Sequence, residues 1–149
     1  EGETTDVVDT GNKLVLLWPH TYMNASGRSV RKALEFYKLT PADLLVVCDD
    51  LNLPSGRLRI RPKGSAGGQK GLADIIRLLN TEEFARLRVG IDRPPDGWKV
   101  TDYVLGRFSV DESGSVDQAC DHAVRTILDW CQNDMQTVMS RHNGFSATA

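Results

Sequence analysis

The sequence is short of paired cysteines, of long apolar runs and of net charge. Its three cysteines, Cys48, Cys120 and Cys131, are an odd number with no Cys-x-x-Cys spacing. That excludes a disulfide framework and a cysteine-based zinc site and points to a reducing interior. No apolar stretch approaches the roughly 20 residues a membrane helix needs. The opening Glu1-Gly2-Glu3-Thr4-Thr5-Asp6 lacks the basic and apolar regions of a signal peptide. A cytoplasmic protein without membrane contact is therefore expected. Eighteen Lys and Arg against 20 Asp and Glu leave a formal charge of −2, which at the level of the whole chain argues against a nucleic-acid partner. What is present, 149 residues with 40% apolar and 26% charged, suits one globular domain with a core of its own. The first residue is Glu rather than Met, as in a processed or truncated chain.

Strand and helix patterns alternate along the chain. Lys13 to Trp18 (KLVLLW) and Leu44 to Val47 (LLVV) are apolar runs of strand length, expected to be buried on both faces. Between them Val30, Ala33, Leu34 and Tyr37 keep helical spacing, with Asn24 or Ser26 as the expected N-cap and Pro41 beyond the end. Arg57-Leu58-Arg59-Ile60-Arg61 alternates basic and apolar residues, the period of a strand with one face in the core and one in water. A glycine-rich loop leads to a helix marked by Leu72, Ile75, Ile76 and Leu79, and Leu87 to Ile91 reads as another strand. Ser109 and Glu112 have capping-box spacing before a long amphipathic helix through Val116, Ala119, Ala123, Ile127 and Trp130, with a shorter helix near Met135 to Met139. Tyr103-Val104-Leu105 is too short to assign. The alternation implies a single α/β domain.

Four features could carry chemistry. Asp49 stands where the second apolar strand ends, the sheet edge at which open α/β folds place their sites. A buried Asp there could orient a histidine base, although Asp49, Asp50 and Asn52 also fit a capped turn. Gly64-Ser-Ala-Gly-Gly-Gln-Lys-Gly71 opens a helix, where backbone N–H groups and Lys70 could hold an anion. It departs from a Walker loop because Gln69 precedes Lys70 and Gly71 follows it, so nucleotide hydrolysis is disfavoured and a plain connector is the alternative. From Leu51 to Ala73 the chain holds Arg57, Arg59, Arg61, Lys63 and Lys70 and no acid. That is a local +5 along which a phosphate backbone could run, or a solvated strand face. Tyr22 and Asn24, after the first apolar run, could stack on and hydrogen-bond to a ribose or peptide.

In combination these segments resemble bacterial-type peptidyl-tRNA hydrolases. Pro19-His-Thr-Tyr-Met-Asn-Ala-Ser-Gly27 is similar to the family's Pro-x-Thr-Tyr/Phe-Met-Asn-x-Ser-Gly segment, and Asp49-Asp-Leu-Asn-Leu-Pro-Ser-Gly56 to its Asp-Asp/Glu-Leu-Asp-Leu-Pro-x-Gly segment. Gly67-Gly-Gln-Lys-Gly-Leu72, Phe84-Ala-Arg-Leu-Arg-Val-Gly-Ile91 and Tyr103-Val-Leu-Gly-Arg-Phe108 follow in the family's order. The resemblance implies a three-layer α/β domain around a twisted mixed sheet. It also implies hydrolysis, without metal or cofactor, of the ester joining a peptide to the 3′ ribose of tRNA. By resemblance Asp49 orients the catalytic histidine, and Tyr22, Asn24, Lys70, Gly67 and Gly68 meet the 3′ end. Arg88 with Arg57, Arg59, Arg61 and Lys63 holds the acceptor stem of a peptidyl-tRNA bound by a monomer. Family members carry their histidine in an Arg-His-Asn segment upstream of the position of Lys13, and this chain has none there. It is expected to be N-terminally incomplete and, as it stands, inactive or nearly so. Gln69-Lys70 replaces the family's His-Asn, and Cys48 replaces the His common before the first Asp. A non-catalytic RNA-binding relative is the alternative.

Overall fold

A computed structural model describes residues 2–9 and 11–148, with the side chain of Asp9 outside the description. The chain opens with β1 (Gly2–Asp9) and β2 (Asn12–Pro19), an antiparallel hairpin whose turn includes Gly11 at φ +88°. The opening residues, which carry no strand pattern of their own, become β1 by pairing along the whole of β2, from Gly2 opposite Pro19 to Asp9 opposite Asn12. This corrects the expectation that Lys13 to Trp18 is buried on both faces. Among the described residues β2 has β1 as its one strand partner. One side, through Leu17, packs toward α1, while Leu16 and Trp18 stand 43% and 75% exposed.

Helix α1 (Ser26–Tyr37) follows a 3-10 turn at Met23–Ala25. Neither Asn24 nor Ser26 caps it, as the sequence led one to expect. Ala25 holds the cap position without a side-chain bond, and the Ser26 hydroxyl donates back to the Met23 carbonyl at 2.8 Å. Strand β3 (Leu45–Asp50), strand β4 (Leu58–Arg61) and strand β5 (Ala85–Gly90) form a sheet in the order β3-β5-β4, with β5 parallel to β3 and antiparallel to β4. The mixed sheet is as expected, but it is separate from the hairpin, and β3 lies at its edge. For that reason the strand expected to be fully buried is half-buried, with Val47 50% exposed.

Helix α2 (Lys70–Leu79) lies beside α1, with Gly27 against Asp74. The Gly27 amide donates to Asp74 Oδ2 at 2.9 Å, and a Cβ on Gly27 would sit 2.5 Å from the Asp74 carbonyl oxygen. Any larger residue would push the helices apart. The segment left unassigned contains α3 (Val100–Val104), anchored by the Tyr103 hydroxyl donating to the Ile91 carbonyl at 2.6 Å. Helix α4 (Val110–Trp130) starts with the expected capping box, Ser109 and Glu112 exchanging bonds of 3.2 and 2.8 Å, and α5 (Met135–His142) completes the chain's helices. Two apolar cores result. Leu58, Ile60 and Leu87 pack with Ala119, Ala123 and Val138 from α4 and α5, while Val30 and Leu34 of α1 pack with Leu72, Ile75 and Phe84. The sheet thus lies between two helical layers. No helix among the described residues is long and apolar enough to cross a membrane.

Candidate active site and nucleic-acid face

Strand β3 delivers two adjacent carboxylates to its carboxyl end, and they take different partners. Asp50 Oδ1 accepts from the Asn52 amide at 2.8 Å, which is the turn cap read from the sequence, while Oδ2 lies 3.6 Å from Arg88 Nη1. Asp49 is outside that turn. Its Oδ1 accepts from Gln69 Nε2 at 3.2 Å. Gln69 is the N-cap of α2 and its Oε1 accepts from the Leu72 amide at 2.7 Å. The start of α2 therefore meets the end of β3 through one side chain. The anion site imagined at this helix start has lost the Leu72 N–H to Gln69, while Lys70, its first residue, is exposed.

Met23 completes the junction. Its sulfur lies 3.5 Å from Gln69 Nε2, and a Cβ on Gly71 would come within 2.5 Å of it. The 3-10 turn that carries Tyr22, Met23 and Asn24 is thereby held against α2. Tyr22 is 87% exposed. A cavity of about 510 Å³ opens between β2, α1 and β3, and its lining includes Trp18, Thr21, Met23, Asp49 and Gln69. The Thr21 hydroxyl is buried and has no hydrogen-bond partner, an unspent polar group in that lining. Asn24 borders a second cleft, of about 430 Å³ between α1 and α2, together with Arg28, Arg31, Lys32 and Arg77. Asp49 and Asn24 thus line different clefts.

The glycine loop is shaped by positive φ at Gly64, Gly67 and Gly68 and fastened from below by two arginines of β5. Arg88, 13% exposed in its side chain, donates to the Ser65 carbonyl at 2.9 Å. A Cβ on Gly67 would lie 3.3 Å from its guanidinium nitrogens. Arg86, 1% exposed, donates to the carbonyls of Gly64, Ser65, Glu82 and Phe84, and its guanidinium carbon lies 4.6 Å from the Phe84 ring centre. Burial first, then the neighbouring Arg88 charge, lowers the Arg86 pKa from its ordinary value. The sequence reading missed Arg86. The signal lay in the alternation Arg86-Leu87-Arg88, which puts both arginines on the face opposite buried Leu87.

In the register of β4 with β5, Arg59 stands opposite Arg88 and Arg61 opposite Arg86. Opposed residues of an antiparallel pair share a face, so four arginines occupy one side of the sheet while Leu58 and Ile60 are buried on the other. Arg59 is exposed and Arg61 half-buried. Arg57, just before β4, is half-buried and bridges to Ser146 through its backbone. Lys63, in the loop beyond β4, is 3.8 Å from Glu83. The acid-free stretch is thus a face concentrated around β4 and β5, with Asp50 as a carboxylate partner beside it.

His20 follows β2 and lies 3.8 Å from Glu3. His142 is held by Asp129 at 2.8 Å and by His122 at 3.1 Å, and His122 stacks on Phe145 at 3.9 Å between ring centres. None of the three bonds to Asp49. Among the described residues no group of three or more His, Cys, Asp or Glu is arranged to hold a metal ion.

Comparison with known proteins agrees with this geometry. The family model described as peptidyl-tRNA hydrolase matches residues 1–149. A peptidyl-tRNA hydrolase of Rhodopirellula baltica is 51% identical over 148 residues, covering 99% of this chain and 78% of its own. That of Symbiobacterium thermophilum is 49% identical over 131 residues, covering 88% and 69%. The crystal structure of Acinetobacter baumannii peptidyl-tRNA hydrolase superposes with a TM-score of 0.90 at 33% identity, covering 97% of this chain and 74% of that one. A peptidyl-tRNA hydrolase crystallised with N-propanol superposes at 0.91, also at 33% identity, covering 99% and 74%. The motif series, the layered fold and these matches together show that the chain belongs to the peptidyl-tRNA hydrolase family.

Proposed function

We propose that this chain acts on peptidyl-tRNA, hydrolysing the ester between the peptide and the 3′ ribose in translation, as a tRNA-binding, cytoplasmic monomer. The observation that carries the assignment of residues is the fixed carboxylate of Asp49 at the end of β3, one side chain away from the turn of Tyr22 and Asn24. In this scheme Asp49 accepts the N–H of a histidine, holding the ring in the tautomer whose other nitrogen takes a proton from water. The hydroxide so formed bonds to the ester carbonyl carbon, the carbon–oxygen bond to ribose breaks, and the ribose oxygen recovers the proton from the imidazolium. Asn24, which borders the neighbouring cleft, contacts the 3′ end there, and Tyr22 offers a stacking surface to the terminal base. Lys70, Gly67 and Gly68 border the 3′ end. The phosphate backbone of the acceptor stem runs over Arg57, Arg59, Arg61 and Lys63, with Arg88 holding the glycine loop beneath it. A role as a non-catalytic RNA binder is set aside, because the similar relatives and the structures that share this fold are named as hydrolases.

On this reading the histidine of the scheme is neither His20, which lies near Glu3, nor His122 or His142, which bond to each other, His142 also to Asp129. On this proposal residues 1–149 bind the substrate and turn it over about 10²–10⁴-fold below a form that contains the base. Single-turnover release of labelled peptide from peptidyl-tRNA tests this. Free imidazole should accelerate release by standing in for the absent ring, and Asp49→Ala should abolish that acceleration. Fast release without imidazole that is indifferent to Asp49→Ala would overturn the scheme.

A further inference from the structure

We propose that Gln69 is a positioning residue for the hydrolytic site: it fixes one oxygen of Asp49 to the start of α2 and so leaves the other to orient the base. The proposal rests on the assignment of Asp49 made above and extends it to the residue behind it.

The geometry allows Gln69 a single arrangement. Its Oε1 accepts from the Leu72 amide at 2.7 Å and its Nε2 donates to Asp49 Oδ1 at 3.2 Å. Exchanging the amide oxygen and nitrogen would set oxygen against a carboxylate and N–H against N–H. The bond to Leu72 therefore dictates that the donor faces Asp49. The second hydrogen of the same NH₂ group lies toward Met23 Sδ at 3.5 Å, so one amide ties the helix start, the carboxylate and the turn carrying Asn24 together. Among the described residues Gln69 is the side chain that hydrogen-bonds Asp49. It occupies Oδ1 and leaves Oδ2 to a base.

Few side chains can do this. Asn is one methylene too short to cap α2 and still reach β3. Glu keeps the length and the acceptor for Leu72 but offers Asp49 a second negative charge in place of a donor. Leu keeps only the volume. An amide also does not titrate, so the junction holds Asp49 in one orientation at every pH at which a histidine base could work.

The test is single-turnover release of peptide from peptidyl-tRNA in the presence of imidazole, measured for the chain, Gln69→Glu, Gln69→Leu and Asp49→Ala between pH 5 and 8.5. A hydrogen bond to a charged group is worth roughly 10- to 100-fold, so Gln69→Leu should lose about that factor in the imidazole-dependent rate, with tRNA binding retained. Gln69→Glu, which keeps the cap of α2, should lose a similar factor at pH 8 and recover toward the parent rate below pH 6, where the two carboxyl groups can share a proton. A role confined to capping predicts instead a Gln69→Glu profile parallel to the parent's. That outcome, with Asp49→Ala still inactive, overturns the proposal and leaves the Asp49 scheme standing. If Asp49→Ala itself has no effect, the scheme fails and Gln69 falls with it. A double-mutant cycle in urea denaturation gives a reading free of activity. Gln69→Leu and Asp49→Ala should couple, and additive effects would show that the bond does not hold in solution, which would also overturn the proposal.

Discussion

Arg86→Met removes the most deeply buried charge described in the molecule and leaves its aliphatic volume nearly unchanged. The guanidinium spends its donors on four backbone carbonyls: Gly64 at 2.5 Å, Glu82 at 2.9 Å, Ser65 at 3.1 Å and Phe84 at 3.2 Å. Hydrogen bonds from a charged donor contribute about 1.5–3 kcal/mol each, but that sum is not the expected loss. Ser65 and Glu82 are exposed and Gly64 is half-buried, so their carbonyls can return to water, and the cost of keeping a cation dry disappears with it. The expected destabilisation is roughly 2–4 kcal/mol. With a urea dependence of about 2 kcal/mol per molar, the midpoint should fall by about 1–2 M. Equilibrium unfolding followed by tryptophan fluorescence measures it. Arg61→Met is the matched control. It sits directly opposite Arg86, is half-exposed, and donates to the carbonyl of its own neighbour Ile60 at 3.0 Å. Its removal relieves a like charge across the ladder, so it should change stability by less than about 0.5 kcal/mol. Equal losses in the two variants, or a loss below about 0.5 kcal/mol for Arg86→Met, would refute the view that the glycine loop is held by a buried cation.

Two further outcomes are expected. His122 has its pKa lowered from 6.5 by burial, then by His142 and Arg125. Also near it are Asp129 and Arg141, which hold His142 or each other. The fold prefers the neutral ring, so its contribution is full above about pH 6.5, the unfolded value, and is lost as pH falls from there through the folded value. Between pH 7.5 and 5.5 the urea midpoint should therefore drop more for the chain than for His122→Gln, and equal drops would count against it. Arg59→Gln, on the exposed part of the arginine face, should weaken tRNA binding uniformly across sequences and reduce the slope of log affinity against log salt by about 1. An unchanged slope would take Arg59 off the RNA path.

Patterns closed within a few residues were legible in the sequence. The capping box of Ser109 and Glu112 needs four residues to form, and the alternation of Arg57 to Arg61 names both the buried and the charged face of β4. The location of Asp49 at a strand end followed from where the apolar run stops. Pairings between distant segments were not legible. Nothing local in Lys13 to Trp18 says that its one strand neighbour is β1, so an apolar run that looks buried on both faces leaves Trp18 in water. Likewise Gln69 and Asp49 are 20 residues apart, and the separation conceals that the Gln69 side chain is the one touching the carboxylate. Asn24 looked like a helix cap because its residue type favours caps, whereas the Met23 contact with Gln69 and Gly71 holds the turn and Ala25 takes the cap position. Net charge misled most. The value of −2 is a sum over a chain that sets Arg59, Arg61, Arg86 and Arg88 on one side of one sheet, and the family acts on an RNA ester.

The order β3-β5-β4 also has a consequence for synthesis. During translation β3 and β4 leave the ribosome before β5, joined by the short loop 51–57, and neither has its native strand partner until residues 85–90 follow. β5 then takes the centre of the sheet between them. Gly90 marks where it wedges in, since a side chain there would collide with the Pro54 carbonyl of the very loop that joins the two waiting strands. The end of β3 therefore gains its native strand partner only with β5, a pairing across a long sequence separation.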